Sequence, residues 1–370
     1  MPTIDWPEAL IPQTAQLTLR KAGAQFASPF NGTLQAVDFV GERWTLSASL
    51  AQMSARNPRG VGAFCNVLAG GVERVRVWPF HTGGVPRGSM RGAPVLGATA
   101  TRGQTSLAIS AATAGANMLL GSSFEFDSNS DGLADNWNPY SIGAASGVAR
   151  SRVEGLRGLW GQRVSATSLG SADTDRIGFG YYVPLSAAGG AAYSVSANVR
   201  AGAGQIVFNL DFNNALGAYI GSANQQFAAT TDWLQRRAMT VQAPPNAASM
   251  SLTVWLQGAG AVIPGAWVEF DNVQVERGAA TEYAFLPTVF AGDFLAAGGQ
   301  LFQVAADTTL SDLGAGSVPI VNRVRSTIAS GSAVTWYRPT CEMVLPAMQA
   351  GPVHRPGVIE STALDLVEVW

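Results

Sequence analysis

The sequence predicts an all-β protein, and two observations carry that reading. Its 370 residues include 42 glycines and 19 prolines with only 13% charged residues, which favours short strands joined by turns over long helices. Segments that alternate apolar and polar residues recur along the chain, and the best helix pattern is a single short stretch, so a discontinuous β-sandwich or barrel domain with one helix is expected. A chain of this length should hold about two domains.

The first fourteen residues carry Trp6-Pro7 and Ile11-Pro12, a proline-punctuated arm suited to lying across a neighbour. Ala15 to Arg20 alternates, Thr33 to Val40 is a weaker strand, and Arg43 to Leu50 alternates again with Trp44, Leu46, Ala48 and Leu50 on one face. The helix is expected next. Asn57 is its N-cap, Pro58 its first residue, Val61, Phe64, Cys65 and Leu68 its buried face, and Gly70-Gly71 its stop. Val72 to Trp78 reads as a strand, Pro79 to Gly97 as a long glycine- and proline-rich loop, and Thr105 to Ser110 as the start of another strand.

At Asn117 the pattern changes. The stretch NMLLGSSFEFDSNSDGLADNW, Asn117 to Trp137, reads as the entry strand of a second module placed inside the first. After that module, Pro287 to Leu295 and Gly298 to Val304 form short strands around a Gly-Gly turn, followed by strands near Ser317 to Ile320, Ala333 to Tyr337 and Leu364 to Trp370. The expected domains are 1–115 and 287–370 as two parts of one unit, with 116–286 inserted.

Composition and motifs exclude several functions. A formal charge of -2 and a pI near 5.8 give no field for a polyanion, and no Lys/Arg run is present, so nucleic acid is not an expected partner. The N-terminus lacks the charged-then-apolar pattern of a signal peptide, so synthesis in the cytoplasm is expected. The uncharged run Gln104 to Phe124 is too polar for a membrane span, so no membrane insertion is expected. Cys65 and Cys341 are read as buried thiols. His81 and His354 are the only histidines, both in turn-like contexts, and no nucleophile elbow or phosphate loop occurs. Glycoside hydrolysis needs only a carboxylate pair, for which Asp173, Asp175 and Asp211 are the candidates; an enzyme is nonetheless not expected.

Asp127, Asn129, Asp131 and Asp135 stand at positions 1, 3, 5 and 9 of a loop with Gly132 at position 6. Alternate oxygens and a turn glycine suit calcium. Asn138 replaces the glutamate that an EF-hand needs at position 12, and the loop more closely resembles the short DxNxDGxxD calcium loops of thrombospondin-type and dockerin-like repeats. The alternative is a solvated turn, since Asp, Asn, Ser and Gly favour turns without any metal.

From Asn117 onward the residues also resemble a family of β-jelly-roll carbohydrate-binding modules. The opening Asn117-Met118-Leu119-Leu120 with Ser122-Ser123-Phe124-Glu125, the acidic loop to Trp137, Ala192 to Arg200, Asp232 to Arg237, and the closing Phe270 to Glu276 with Gly278, Thr281 and Tyr283 carry the likeness. It implies an inserted β-jelly-roll domain over 116–286 and a second calcium option at Glu125 and Asp271. Sugar binding in such modules uses exposed aromatic rings with amides and carboxylates. Tyr181, Tyr182, Tyr219 and Trp255 are the candidates for carbohydrate binding, with Trp137 and Trp233 assigned to the interior.

The flanking parts resemble distal-tail or baseplate proteins of long-tailed bacteriophages, through Gln25 to Gly32, Gly41 to Trp44, Ala291 to Asp307 and Ser361 to Trp370. This implies a place at the virion tail tip, a homo-oligomeric ring, other phage tail proteins as partners, and host cell-surface polysaccharide as the target of the inserted module. The alternatives are a glycan-degrading tail enzyme and a purely structural protein whose jelly roll is a spacer.

Overall fold

The computed structural model describes residues 3–8, 10–50, 58–80, 84–142, 148–167, 175–233, 236–257, 265–346, 354–355, 358–359 and 362–369. Strand accounts for 55% of the chain and helix for 3%, which makes the fold all-β with one helix, as the composition predicts. Asn57, His81 and Asp173 lie outside the described residues, as do the side chains of Val61 and His354.

Strands from the two ends of the chain share one sheet. Its six strands run Thr3–Asp5, Arg74–Val77, Cys341–Val344, Thr362–Glu368, Leu34–Leu50 and Pro12–Ala27 in spatial order. Leu364 pairs with Ala48 and Leu366 with Leu46. The alternation read from Trp44 to Leu50 buries those four side chains, and helix Pro58–Leu68 adds Phe64, Cys65 and Leu68 to the same core. Gly70 and Gly71, at φ of 87° and 67°, end that helix in the left-handed region where glycine is favoured. Both cysteines are free and buried, and burial raises both thiol pKa values.

A second core lies beside this one and was not anticipated. Met90–Leu96, Ser106–Ala114 and Gly316–Pro319 form one sheet, and Gln300–Gln303, Phe294–Ala297 and Val334–Thr335 form another. Leu107, Ile109, Leu295, Phe302 and Val318 meet between them. The expected loop from Pro79 to Gly97 therefore contains a strand. Its register shifts between Gly92 and Val95, so a bulge takes up the glycine and proline that had marked the segment as a turn.

The inserted segment folds as two packed sheets. The first has Tyr219–Ala228, Gln205–Asn213, Ser249–Gln257, Arg176–Tyr181 and Trp137–Ile142 in order, with Leu185–Ser186 added against Ser249–Gln257. The second has Arg236–Gln242, Ala192–Ala201, Trp267–Arg277, Trp160–Ala166 and Val148–Glu154. Phe124, Trp137, Phe179, Phe208, Phe212 and Phe270 fill the space between.

The stretch Asn117 to Trp137 is not an entry strand. It is a run of turns, with Gly121, Phe124, Ser130, Gly132 and Asn136 all at positive φ, and the module's first strand begins only at Trp137. Single main-chain bonds, Met118 N–H to Val275 O at 2.7 Å and Val273 N–H to Ser122 O at 3.1 Å, hold the run against the closing strand.

Candidate functional site

Alternation along the first module sheet sends Ile206, Phe208, Leu210, Phe212, Leu252, Val254, Ile177 and Phe179 into the core. The residues between them form the outer face, and register decides which of them are neighbours. One row reads Asn224, Asn209, Thr253, Gly180, Asn138 across five strands, and the next reads Gln226, Val207, Trp255, Gly178, Tyr140. On the other side of the first row Ser222, Asp211 and Ser251 follow in line.

This face is a polar platform with a trough. Asn209, Thr253 and Asp211 have no side-chain hydrogen-bond partner among the described residues; Thr253 and Asp211 are half-buried and can offer a hydroxyl and a carboxylate to a ligand, whereas Asn209 is buried. Gly180 forms the trough's floor between Thr253 and Asn138, whereas the Trp255 and Tyr140 rings pack against each other on either side of Gly178. A Cβ at Gly178 would lie 2.0 Å from Val254 O, which forbids any other residue there. At Gly180 a Cβ would meet Leu252 O at 3.4 Å and Thr253 Oγ1 at 3.7 Å, ordinary contacts, so its missing side chain is open space rather than a steric requirement.

The four candidate aromatics separate. Tyr182 and Tyr219 are 56% and 62% exposed, and Tyr219 pairs with the outward Asn213. The Tyr182 hydroxyl donates to Asn136 Oδ1 at 3.2 Å. Trp255 is on the outer face but only 5% exposed, since Tyr140 packs on it at 5.7 Å between ring centroids and the Arg176 guanidinium lies 4.6 Å from its ring. Tyr181, expected as an exposed ring, is 3% exposed and belongs to the core. Consecutive strand residues point to opposite faces, so Tyr181 and Tyr182 could not both be outside. The Tyr181 hydroxyl accepts the Leu120 N–H at 3.0 Å, and burial raises its pKa.

Around the acidic loop, the candidate calcium oxygens face the loop's own main chain. Asp127 accepts the N–H groups of Asp131 and Gly132 at 3.1 and 3.0 Å, Asn129 accepts that of Asp131, Asp131 accepts that of Leu133, and Asp135 accepts that of Ser128. Arg150 pairs with Asp131 at 3.3 Å. Among the described residues no group of three or more His, Cys, Asp or Glu is disposed to hold a metal.

The second option, Glu125 with Asp271, is set deeper. Asp271 is fully buried and accepts the N–H groups of Leu156 and Arg157 at 2.6 and 3.1 Å, while Glu125 accepts those of Leu159 and Trp160 at 2.9 and 3.0 Å. Burial lifts the Asp271 carboxyl to about 6, with the Glu125 charge adding to the rise. Asp312, from the turn after Leu310, reaches the same region, where its carboxylate accepts the Ser123 N–H at 3.3 Å and its other oxygen, Oδ2, is buried without a partner.

No family model matches the chain. No curated protein matches it either. Among solved structures it is similar to the enzymatically active domain of bacteriophage CBA120 tailspike protein 4, at 14% identity and a TM-score of 0.35, over 44% of this chain and 22% of that one. It is similar to TmCBM61 in complex with beta-1,4-galactotriose, at 15% identity and a TM-score of 0.30, over 44% of this chain and 99% of that one. A third similar structure is the CBM22-1 xylan-binding domain of Paenibacillus barcinonensis Xyn10C, at 14% identity and a TM-score of 0.30, over 46% of this chain and 100% of that one.

Proposed function

We propose that this chain is a structural protein of a bacteriophage tail tip, of the distal-tail or baseplate type, that contacts host-surface glycan through its inserted jelly roll without cleaving it. The observation that carries the glycan part is the outer face of the first module sheet. It combines unpartnered amide and hydroxyl side chains, two exposed tyrosines and a glycine-floored trough, the donor, acceptor and ring set that polysaccharide recognition uses. Among its described residues Asp211 is the one carboxylate, whereas hydrolysis needs a pair.

Assembly is supported by the hairpin of Pro12–Ala27 and Leu34–Leu50. Its outer half exposes Phe26, Phe30, Leu34, Val37 and Phe39 by 59, 97, 69, 38 and 55%, and register puts Phe26, Val37 and Phe39 on one face. Exposed apolar surface of this kind marks an interaction site, which in this reading is taken by neighbouring copies in a ring or by other tail proteins.

Gly180→Leu tests the glycan face directly. The side chain has room at its base and would fill the trough, so the variant should keep the wild-type melting curve while its binding to host polysaccharide falls at least tenfold, about 1.4 kcal/mol. Unchanged binding by a folded Gly180→Leu would remove the site, and shortening of the polysaccharide by wild type would remove the binding-only reading. A wild-type chain that stays monomeric by light scattering would remove the ring.

Within this reading we assign structural calcium to Glu125 and Asp271. A cation there would offset the cost of burying Asp271 beside another carboxylate, and Asn272 Oδ1 is a further buried oxygen without a partner. Millimolar calcium should raise the melting temperature over that in chelator, since ligand bound only to the native state stabilises it. Asp271→Asn should abolish the difference and Asp127→Asn should not; the reverse pattern would move the ion to the acidic loop, and no difference in wild type would remove it altogether.

A further inference from the structure

The outer face of the first module sheet has a corner where Arg176, Trp255 and Gln257 meet. Register sets Arg176 between Ile142 and Gln257, two residues along its strand from Gly178 and so on the same outward side. Its guanidinium lies 4.6 Å from the Trp255 ring centroid, and its Nε is buried without a hydrogen-bond partner. Gln257 is next to it. The indole N–H of Trp255 can only donate, and it does so to Gln257 Oε1 at 2.8 Å. That bond engages the amide oxygen and leaves the amide NH2 of Gln257, which bonds no described residue, on the strand position paired with Arg176.

Other partly buried arginines of the module have acceptors. Arg150 pairs with Asp131, Arg163 and Arg200 both pair with Glu269, Arg152 donates to Phe124 O and Arg236 to Asn272 O. Arg176 has no ion pair or hydrogen bond from its side chain to any described residue. The one carboxylate on the described face, Asp211, lies at the opposite end of strand Gln205–Asn213 from Gln205, the residue paired with Gln257. A partly desolvated cation flanked by an amide donor, and paired with no carboxylate among the described residues, is an anion-recognition arrangement.

We propose that the glycan held on this face is acidic, and that its anionic group, a carboxylate, sulfate or phosphate on a sugar ring, docks on Arg176 and the Gln257 amide. This rests on the glycan-binding reading and narrows it to a substrate class. The full-length protein, with Arg176→Gln and Arg176→Lys variants checked for wild-type melting, is applied to an array of glycans in matched neutral, carboxylated, sulfated and phosphorylated forms. Wild type should bind anionic members at least tenfold more tightly than their neutral counterparts, and that preference should weaken as salt rises.

Arg176→Gln should lose the preference while retaining the weaker neutral binding, and Arg176→Lys should keep part of it. Which anion is retained distinguishes uronic-type sugars from sulfated or phosphorylated ones. Equal binding of neutral and anionic members, or an acidic preference untouched in a folded Arg176→Gln, overturns the acidic class and leaves the glycan-binding function standing. Binding to no glycan overturns both. Should the Gln variant fail to fold, loss of the wild-type preference on adding free galacturonate, sulfate and phosphate competitors decides the matter, and its persistence overturns the proposal.

Discussion

Replacing Arg325 with Met should destabilise the part built from the two chain ends by about 3–5 kcal/mol, the range for leaving a buried charge without its partner. The Arg325 and Glu368 side chains are 6% and 0% exposed, joined through both guanidinium nitrogens, one at 2.6 Å. Glu368 ends the strand Thr362–Glu368 and also accepts the Trp44 main-chain N–H at 2.9 Å, while Arg325 donates its own N–H to Gln300 at 2.8 Å. The pair thus joins the last strand, the Trp44 strand and the second core. Domains have a total stability of about 5–15 kcal/mol, so the single variant should unfold at markedly lower urea. Arg325→Met with Glu368→Leu should recover much of the loss, because the cost lies in the stranded carboxylate. A single variant within about 1 kcal/mol of wild type would show that water reaches Glu368.

Asp312→Asn should stabilise the protein at neutral pH and do nothing below about pH 4. Burial, assisted by the nearby Glu125 charge, raises the Asp312 carboxyl from 3.8 to about 6. A folded-state pKa above the unfolded value means that the native state holds the proton more tightly. Its contribution is complete below the unfolded pKa and is lost as pH climbs through the folded one. Two pKa units correspond to about 3 kcal/mol at most. In chelator, wild type should therefore lose stability between about pH 4 and 6 relative to Asp312→Asn, with the curves meeting at the acid end. Parallel curves through that window would falsify a buried, charged Asp312.

Much of the architecture was legible because burial writes periodicity. Trp44, Leu46, Ala48 and Leu50 alternate since one side of their strand meets a core, and Phe64, Cys65 and Leu68 are spaced for one helix face. Met90–Leu96 was hidden because its bulge is made of the residues that otherwise mark turns. Asn117 to Trp137 misled in the other direction, since Leu119, Phe124 and Trp137 are core residues delivered by turns rather than by a strand. The candidate face was the least legible part. Asn209, Thr253, Gly180 and Asn138 are far apart in sequence and become a row only through register, which four unrelated strand sequences do not encode locally. Choosing exposed rings by type alone failed for Tyr181, where strand parity with Tyr182 was the available signal, and for Trp255, which faces outward but is covered by Tyr140 and Arg176.

The module's two ends leave the rest of the chain side by side. A Cβ on Gly115 would sit 3.0 Å from that of Ala284, and Gly121 N–H meets Asp312 O at 3.1 Å. Tension applied at the outer face therefore enters through two adjacent covalent crossings that share the load, rather than through one terminal tether from which strands could be peeled in succession. One crossing continues into Ser106–Ala114 and the other into Thr288–Val289, which pairs with Thr308–Thr309. The second of these is a two-residue strand held by a two-residue partner. The vulnerable element under force is thus that short pairing and not the jelly roll, so the inserted module should outlast its mounting.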